Sequence, residues 1–117
     1  MTHVKDILTK EVQFVEPETS VVQIAALMRE GECGFIPVGE NDKLIGVVTD
    51  RDIVLRCIAE DSDPEVMCAR DVMTPEVLYC YDHHSAEDVA MNMAENKVRR
   101  MPVVNQDKKL IGVISLG

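Results

Sequence analysis

With 117 residues, the chain suffices for one compact domain and is too short for two large independent ones. A formal net charge of −9 argues against a broad nucleic-acid-binding surface, which needs clustered Lys and Arg against phosphates, and no apolar run approaches the ~20 residues that span a bilayer. Aromatics are 3% with no Trp, so the core must be assembled from Val, Ile, Leu, Met and Ala.

The N-terminal stretch MTHVKDILTK lacks the apolar length of a secretory leader, and the chain reads as cytoplasmic. Val12–Val15 reads as a short strand, broken by Glu16–Pro17–Glu18–Thr19–Ser20. Ser20 with Gln23 three residues on has the form of a capping box, and Val21, Ile24, Ala25, Leu27 and Met28 mark one apolar helical face, with Gly31 as its stop. Phe35–Val38 is an apolar strand whose Pro37 predicts a strand end or an edge position. Glu40–Asn41–Asp42–Lys43 reads as a hairpin turn, Leu44–Thr49 as a strand, and Asp50–Glu60 as a helix carrying Ile53, Val54, Leu55 and Ile58. Asp61–Ser62–Asp63–Pro64 marks a connector.

The programme then recurs: strand Val77–Tyr81, a helix from Ser85 to about Asn96 with Asp88 in the place of Gln23, strand Met101–Val104, turn Asn105–Lys109 and strand Leu110–Ser115. The recurrence is residue by residue. Asp6, Ser20, Met28, Pro37, Val38 and Gly46 face identical residues at Asp71, Ser85, Met93, Pro102, Val103 and Gly112, at a shift of 65 that becomes 66 past Lys108. The expected boundaries are residues 1–60 for one repeat, 61–68 for a connector and 69–117 for the other. The helix answering Asp50–Glu60 has no counterpart before Gly117, which reads as truncation. The expected fold class is α/β (α+β): two βαββα repeats with small three-stranded sheets about a pseudo-two-fold axis.

Gly46–Val47–Val48–Thr49–Asp50–Arg51–Asp52, preceded by Gly34–Phe35–Ile36–Pro37–Val38 and echoed near Pro102 and Gly112, resembles the cystathionine-β-synthase (CBS) domain. A tandem pair of these is a Bateman module, and the resemblance covers nearly the whole chain in both copies. It implies a regulatory module, not an enzyme, that binds an adenosine-containing ligand of the AMP, ADP, ATP, S-adenosylmethionine or NAD type in the cleft between the repeats. No cofactor is required; the adenosyl ligand is the regulator. A homodimer is expected, with exposed helices such as the one carrying Ile53–Ile58 as its contact, and an unknown regulated protein is a further partner. No membrane or nucleic-acid partner is expected.

The same resemblance implies the site residues. Asp52 accepts hydrogen bonds from two ribose hydroxyls, since a carboxylate offers two acceptor oxygens and charge-assisted bonds. Thr49 stands at the strand-to-helix junction beside Arg51, and Gly46 allows close backbone approach. The competing reading of the same residues is local: Thr49 as helix cap and Asp52 as a first-turn acid. Arg99 and Arg100 fall where the family faces ligand phosphates, and arginine's planar fork suits them. Val77, Leu78, Met101 and Pro102 form apolar walls for adenine, or are ordinary core residues. A weaker second site is expected from Val12, Gln13, Ile36, Pro37 and Ser115, with Gly34 and Phe35 where the arginines stand in the first. Alternative functions are a dimerisation or interaction module with a vestigial cleft, and, ranked lower, a metal or redox sensor using Cys33, Cys57, Cys68 and Cys80 with histidines. The cysteines lack CxxC pairing and read as reduced thiols, and His83–His84 lacks a third ligand at a convincing spacing, so no metal residues are assigned.

Overall fold

A computed structural model describes residues 2–8, 14–75 and 77–115. Val12 and Gln13, the first half of the expected strand Val12–Val15, lie outside the described residues. The fold is mixed α/β with small sheets. Its described residues fall into two compact units, neither a single stretch of sequence: one within Met1–Val12, Asp42–Leu44 and Leu78–Gly117, the other within Gln13–Asn41 and Ile45–Val77. They are called here the β3–β5 unit and the β1–β2 unit.

In the β1–β2 unit, Val15 bridges Val38 in parallel, donating its N–H to the Pro37 carbonyl at 3.0 Å and accepting from Gly39 at 2.9 Å. Helix α1 (Val21–Gly31) begins at the expected capping box: Gln23 N–H donates to Ser20 Oγ at 3.2 Å, and Ser20 N–H donates to Gln23 Oε1 at 3.4 Å. Its buried face is Val21, Ile24 and Met28. The helix ends at Gly31 as expected, but the left-handed cap is the next residue. Glu32 takes the left-handed conformation (φ 50°), which lets Cys33 N–H reach the Met28 carbonyl at 3.0 Å. Strands β1 (Phe35–Glu40) and β2 (Lys43–Thr49) follow. Asn41 and Asp42 between them both have positive φ (55° and 67°), as a two-residue hairpin turn demands.

Helix α2 (Asp50–Ile53) passes directly into a π-helical turn, Val54–Ile58, so the expected Asp50–Glu60 helix is shorter and of two geometries. Helix α3 (Ala69–Val72) returns to this unit, with Ala69 N–H on the Thr19 carbonyl and Arg70 N–H on that of Pro17 at 2.8 and 2.9 Å. The core joins Ile24, Ile36, Val38, Val48, Cys57 and Val72, all 2% exposed or less.

The β3–β5 unit holds a three-stranded sheet ordered β3 (Cys80–Tyr81), β4 (Arg100–Val104), β5 (Leu110–Ser115), parallel then antiparallel. The strand expected at Val77–Tyr81 is thus confined to its last two residues. Cys80 faces Val103, the counterpart of Val15 facing Val38. Pro102, the counterpart of Pro37, lies in the central strand of this sheet. It costs no ladder bond on the β3 side because pairing there begins one residue later, at Val103.

Helix α4 (Ala86–Glu95) starts where Asp88 N–H donates to Ser85 Oγ at 3.1 Å, and ends as α1 does, with Lys97 at φ 57° and Val98 N–H on the Met93 carbonyl at 3.0 Å. The extra residue that changes the repeat shift is absorbed in the turn and in a register break between Val103 and Val104. Two short segments escaped the sequence reading: a 3₁₀ turn at Val4–Asp6 and helix α3. Both are closed by the repeated aspartate. Asp6 Oδ2 accepts from His3 N–H at 3.1 Å, and Asp71 Oδ2 from Cys68 N–H at 3.0 Å.

Candidate functional site

The best-built cluster of polar side chains lies at the β2–α2 junction of the β1–β2 unit. Thr49 is the N-cap of α2. Its Oγ1 accepts from Asp52 N–H at 3.1 Å, and Asp52 Oδ2 accepts from Thr49 N–H at 2.9 Å. The pair is a capping box, so the local reading of these residues is realised. The carboxylate is nonetheless only partly used. Its Oδ1 takes the Thr74 hydroxyl at a long 3.4 Å and lies 3.9 Å from Arg56 Nη1, and the side chain keeps 12% exposure. A carboxylate offers about four lone-pair positions, so about two remain.

Gly46 is buried beside this junction for a packing reason. A Cβ there would stand 2.8 Å from both Met73 Sδ and the Thr74 carbonyl oxygen. Thr74 and Val47 exchange both backbone hydrogen bonds, at 2.8 and 3.1 Å. Arg51 is exposed and, with Asp50, Val54 and Leu55, lines an open surface hollow. Val54, Leu55 and Ile58 are 54%, 47% and 56% exposed, an apolar strip on a short helical segment. Gly34 is also dictated by packing: a Cβ would meet the Asp50 carboxylate at 2.6 Å, and Asp50 N–H donates to the Gly34 carbonyl. Val77 is half-buried in this unit, and Ile36 and Pro37 are core residues.

The other expected residues belong to the β3–β5 unit. Arg100 opens β4 opposite Ser115 of β5, and Arg99 precedes it in a bend; all three are exposed. Among the described residues neither arginine has a carboxylate within 4 Å. Met101 and Pro102 are buried, Met101 at 2% exposure, whereas Leu78 is 43% exposed. Tyr79, Tyr81, His83 and His84 form a partly exposed aromatic cluster with ring centroids 5.0–5.8 Å apart. His84 Nδ1 accepts from Tyr81 N–H at 3.3 Å. Among the described residues no three His, Cys, Asp or Glu side chains converge on a common point suited to a metal ion.

Among the described residues, four groups titrate away from their ordinary values. The Cys68 N–H and thiol hold the Asp71 carboxyl below the usual carboxylate range, and the Glu40 and Glu18 carboxylates push Arg70 up. Tyr79 raises the phenol of Tyr81, and burial pushes the Cys80 thiol up to about 11. Sequence reasoning missed Arg56 and Thr74; the recurrence of Thr9 at Thr74 was the available signal.

A helix followed by two strands, recurring as α1, β1 and β2 and again as α4, β4 and β5, defines a tandem-repeat protein of mixed α/β fold. The CBS domain family profile matches residues 4–58 and 69–117, and the chain belongs to that family. It is 38% identical over 117 residues to the CBS domain-containing protein YhcV of Bacillus subtilis, spanning 100% of this chain and 82% of that protein. The structure of CBSX2 in complex with AMP matches with a TM-score of 0.83 and 34% identity, over 98% of this chain and 90% of that one. Hypoxic response protein I with two coordinated zinc ions matches with a TM-score of 0.85 and 32% identity, over 98% and 94%. No helix among the described residues is long and apolar enough to cross a membrane.

Proposed function

We propose that this chain is a non-catalytic regulatory module that binds an adenosine-containing ligand and passes a conformational change to a partner. Asp52 takes the ribose diol and Thr49 supplies a neighbouring hydroxyl. From the family resemblance alone, Arg99 and Arg100 are the candidates for phosphate contact and Val77, Leu78, Met101 and Pro102 the candidates for the base. Arg51 and Gly46 border the ribose. The observation that carries the reading is the Asp52 carboxylate. It is held rigidly by Thr49, yet keeps about two acceptor positions, which is what two adjacent hydroxyls need. The relative that binds AMP supports the ligand class. A thermal-shift screen of AMP, ADP, ATP, S-adenosylmethionine and NAD tests it. Stabilisation by at least one supports the module, and none at millimolar concentration refutes it.

A second copy of the chain is the partner favoured by the exposed strip Val54, Leu55 and Ile58, since clustered apolar exposure on a helical segment marks an interaction surface. The interaction-module reading, in which the dimer alone is the function, rests on the same strip. It predicts dimerisation with no response to any adenosyl compound.

A further inference from the structure

We propose that Arg56 is a positioning residue that locks the Asp52 carboxylate and the segment Val72–Thr74 into one element, so that a ligand held at Asp52 is registered by that segment. The ligand half rests on the function proposed above; the lock rests on geometry alone. A single nitrogen, Arg56 Nη1, donates to the carbonyls of Val72 at 3.0 Å and Met73 at 2.9 Å and stands 3.9 Å from Asp52 Oδ1. Val72 closes α3, where carbonyls lose their intrahelical partners, and the guanidinium satisfies two such acceptors at once. Thr74 then reaches back: its hydroxyl donates to the same Asp52 oxygen, and its backbone exchanges two bonds with Val47. Gly46 permits this approach because nothing larger fits beneath Met73 and Thr74.

Asp52 is therefore the common point of the α2 cap, the Arg56 contact and the Thr74 contact. A ribose diol uses acceptor positions that the lock leaves vacant, so binding adds to the lock without breaking it. The segment becomes better protected when ligand is present. Arg56 acts through Asp52 and the two carbonyls that its Nη1 serves.

The test is amide hydrogen exchange at Val47 and Thr74, with the Ile24 amide in α1 as internal reference, in wild type, Arg56→Met, Arg56→Lys and Thr74→Val, each with and without AMP. Calorimetry on the same samples gives AMP affinity. Arg56→Met exchanges about tenfold faster at the two reporter amides and unchanged at Ile24, because bonds from a charged donor are lost locally. Arg56→Lys restores most of the protection, since one ammonium can serve both carbonyls that one guanidinium nitrogen now serves. Thr74→Val speeds the same two amides. AMP slows them in wild type, and Arg56→Met weakens AMP binding about tenfold. Unchanged exchange in folded Arg56→Met, equal acceleration at Ile24, or unaltered AMP affinity in that variant overturns the proposal. If wild type binds no AMP, the ligand reading fails alone, and the unliganded arms still decide the lock.

Discussion

The close approach of Met73–Thr74 to Gly46 makes a graded glycine series the sharpest test of the packing. In Gly46→Ala the new Cβ would lie 2.8 Å from the Thr74 carbonyl oxygen, a backbone atom, so the segment must retreat by about half an ångström to reach ordinary contact. That retreat strains the two Val47–Thr74 bonds, now 2.8 and 3.1 Å. Overpacking costs about 1–3 kcal/mol and weakened hydrogen bonds add about 1 kcal/mol, against roughly 0.5–1 kcal/mol recovered by removing a strand glycine. The net loss is about 2 kcal/mol, or roughly 8 °C in Tm for a chain of this size.

Gly34→Ala meets the Asp50 carboxylate, which can rotate at the expense of its bond to Arg51 N–H, so its loss is about 1 kcal/mol. Gly31→Ala, inside α1 and 3.5 Å from Cys33 Sγ, gains about 0.5–1 kcal/mol. Urea denaturation at constant m-value reads the order Gly31→Ala above wild type, then Gly34→Ala, then Gly46→Ala. Gly46→Ala at or above wild-type stability refutes the account of the segment.

Glu32→Gly and Lys97→Gly each relieve a non-glycine residue from the left-handed region and raise stability by about 0.5–1 kcal/mol, checked by the same melts. For Cys80, burial raises the thiol from 9.0 to about 11, so the unfolded chain loses this proton first. Stability is therefore full below pH 9 and falls as pH climbs towards 11, by at most about 2–3 kcal/mol; Cys80→Ala should remove that part of the alkaline slope in denaturation measured across the window. Leu55→Asp with Ile58→Asp places charge on the exposed strip and is expected to convert a dimer to monomer in sedimentation, with Tm at low concentration nearly unchanged because both side chains are already about half exposed.

Where the sequence was legible, one physical signal acted alone. The capping box at Ser20 and the 3.6-residue spacing through Met28 define α1, and the same reading found β5 at its observed limits, Leu110–Ser115. Where it failed, two effects competed. Glu32 and Lys97 adopt a conformation expected of glycine because a backbone bond to Met28 or Met93 holds them there. Helix α3 is only Ala69–Val72, too short to show periodicity, although the repeated Asp6 and Asp71 carried its cap. At the candidate site, Thr49 and Asp52 were legible as a motif. Arg56 was not, since its partners are main-chain carbonyls 16 and 17 residues away and carry no side-chain signature.

The proposed function turns on whether Asp52 holds a ligand in addition to capping its helix. Titration calorimetry of AMP into wild type and Asp52→Ala, both verified as folded, separates the two roles most directly. Saturable binding by wild type and its loss in the variant is the expected result. Equal binding by both, or heat from neither with AMP or any of the other adenosyl compounds, would contradict it.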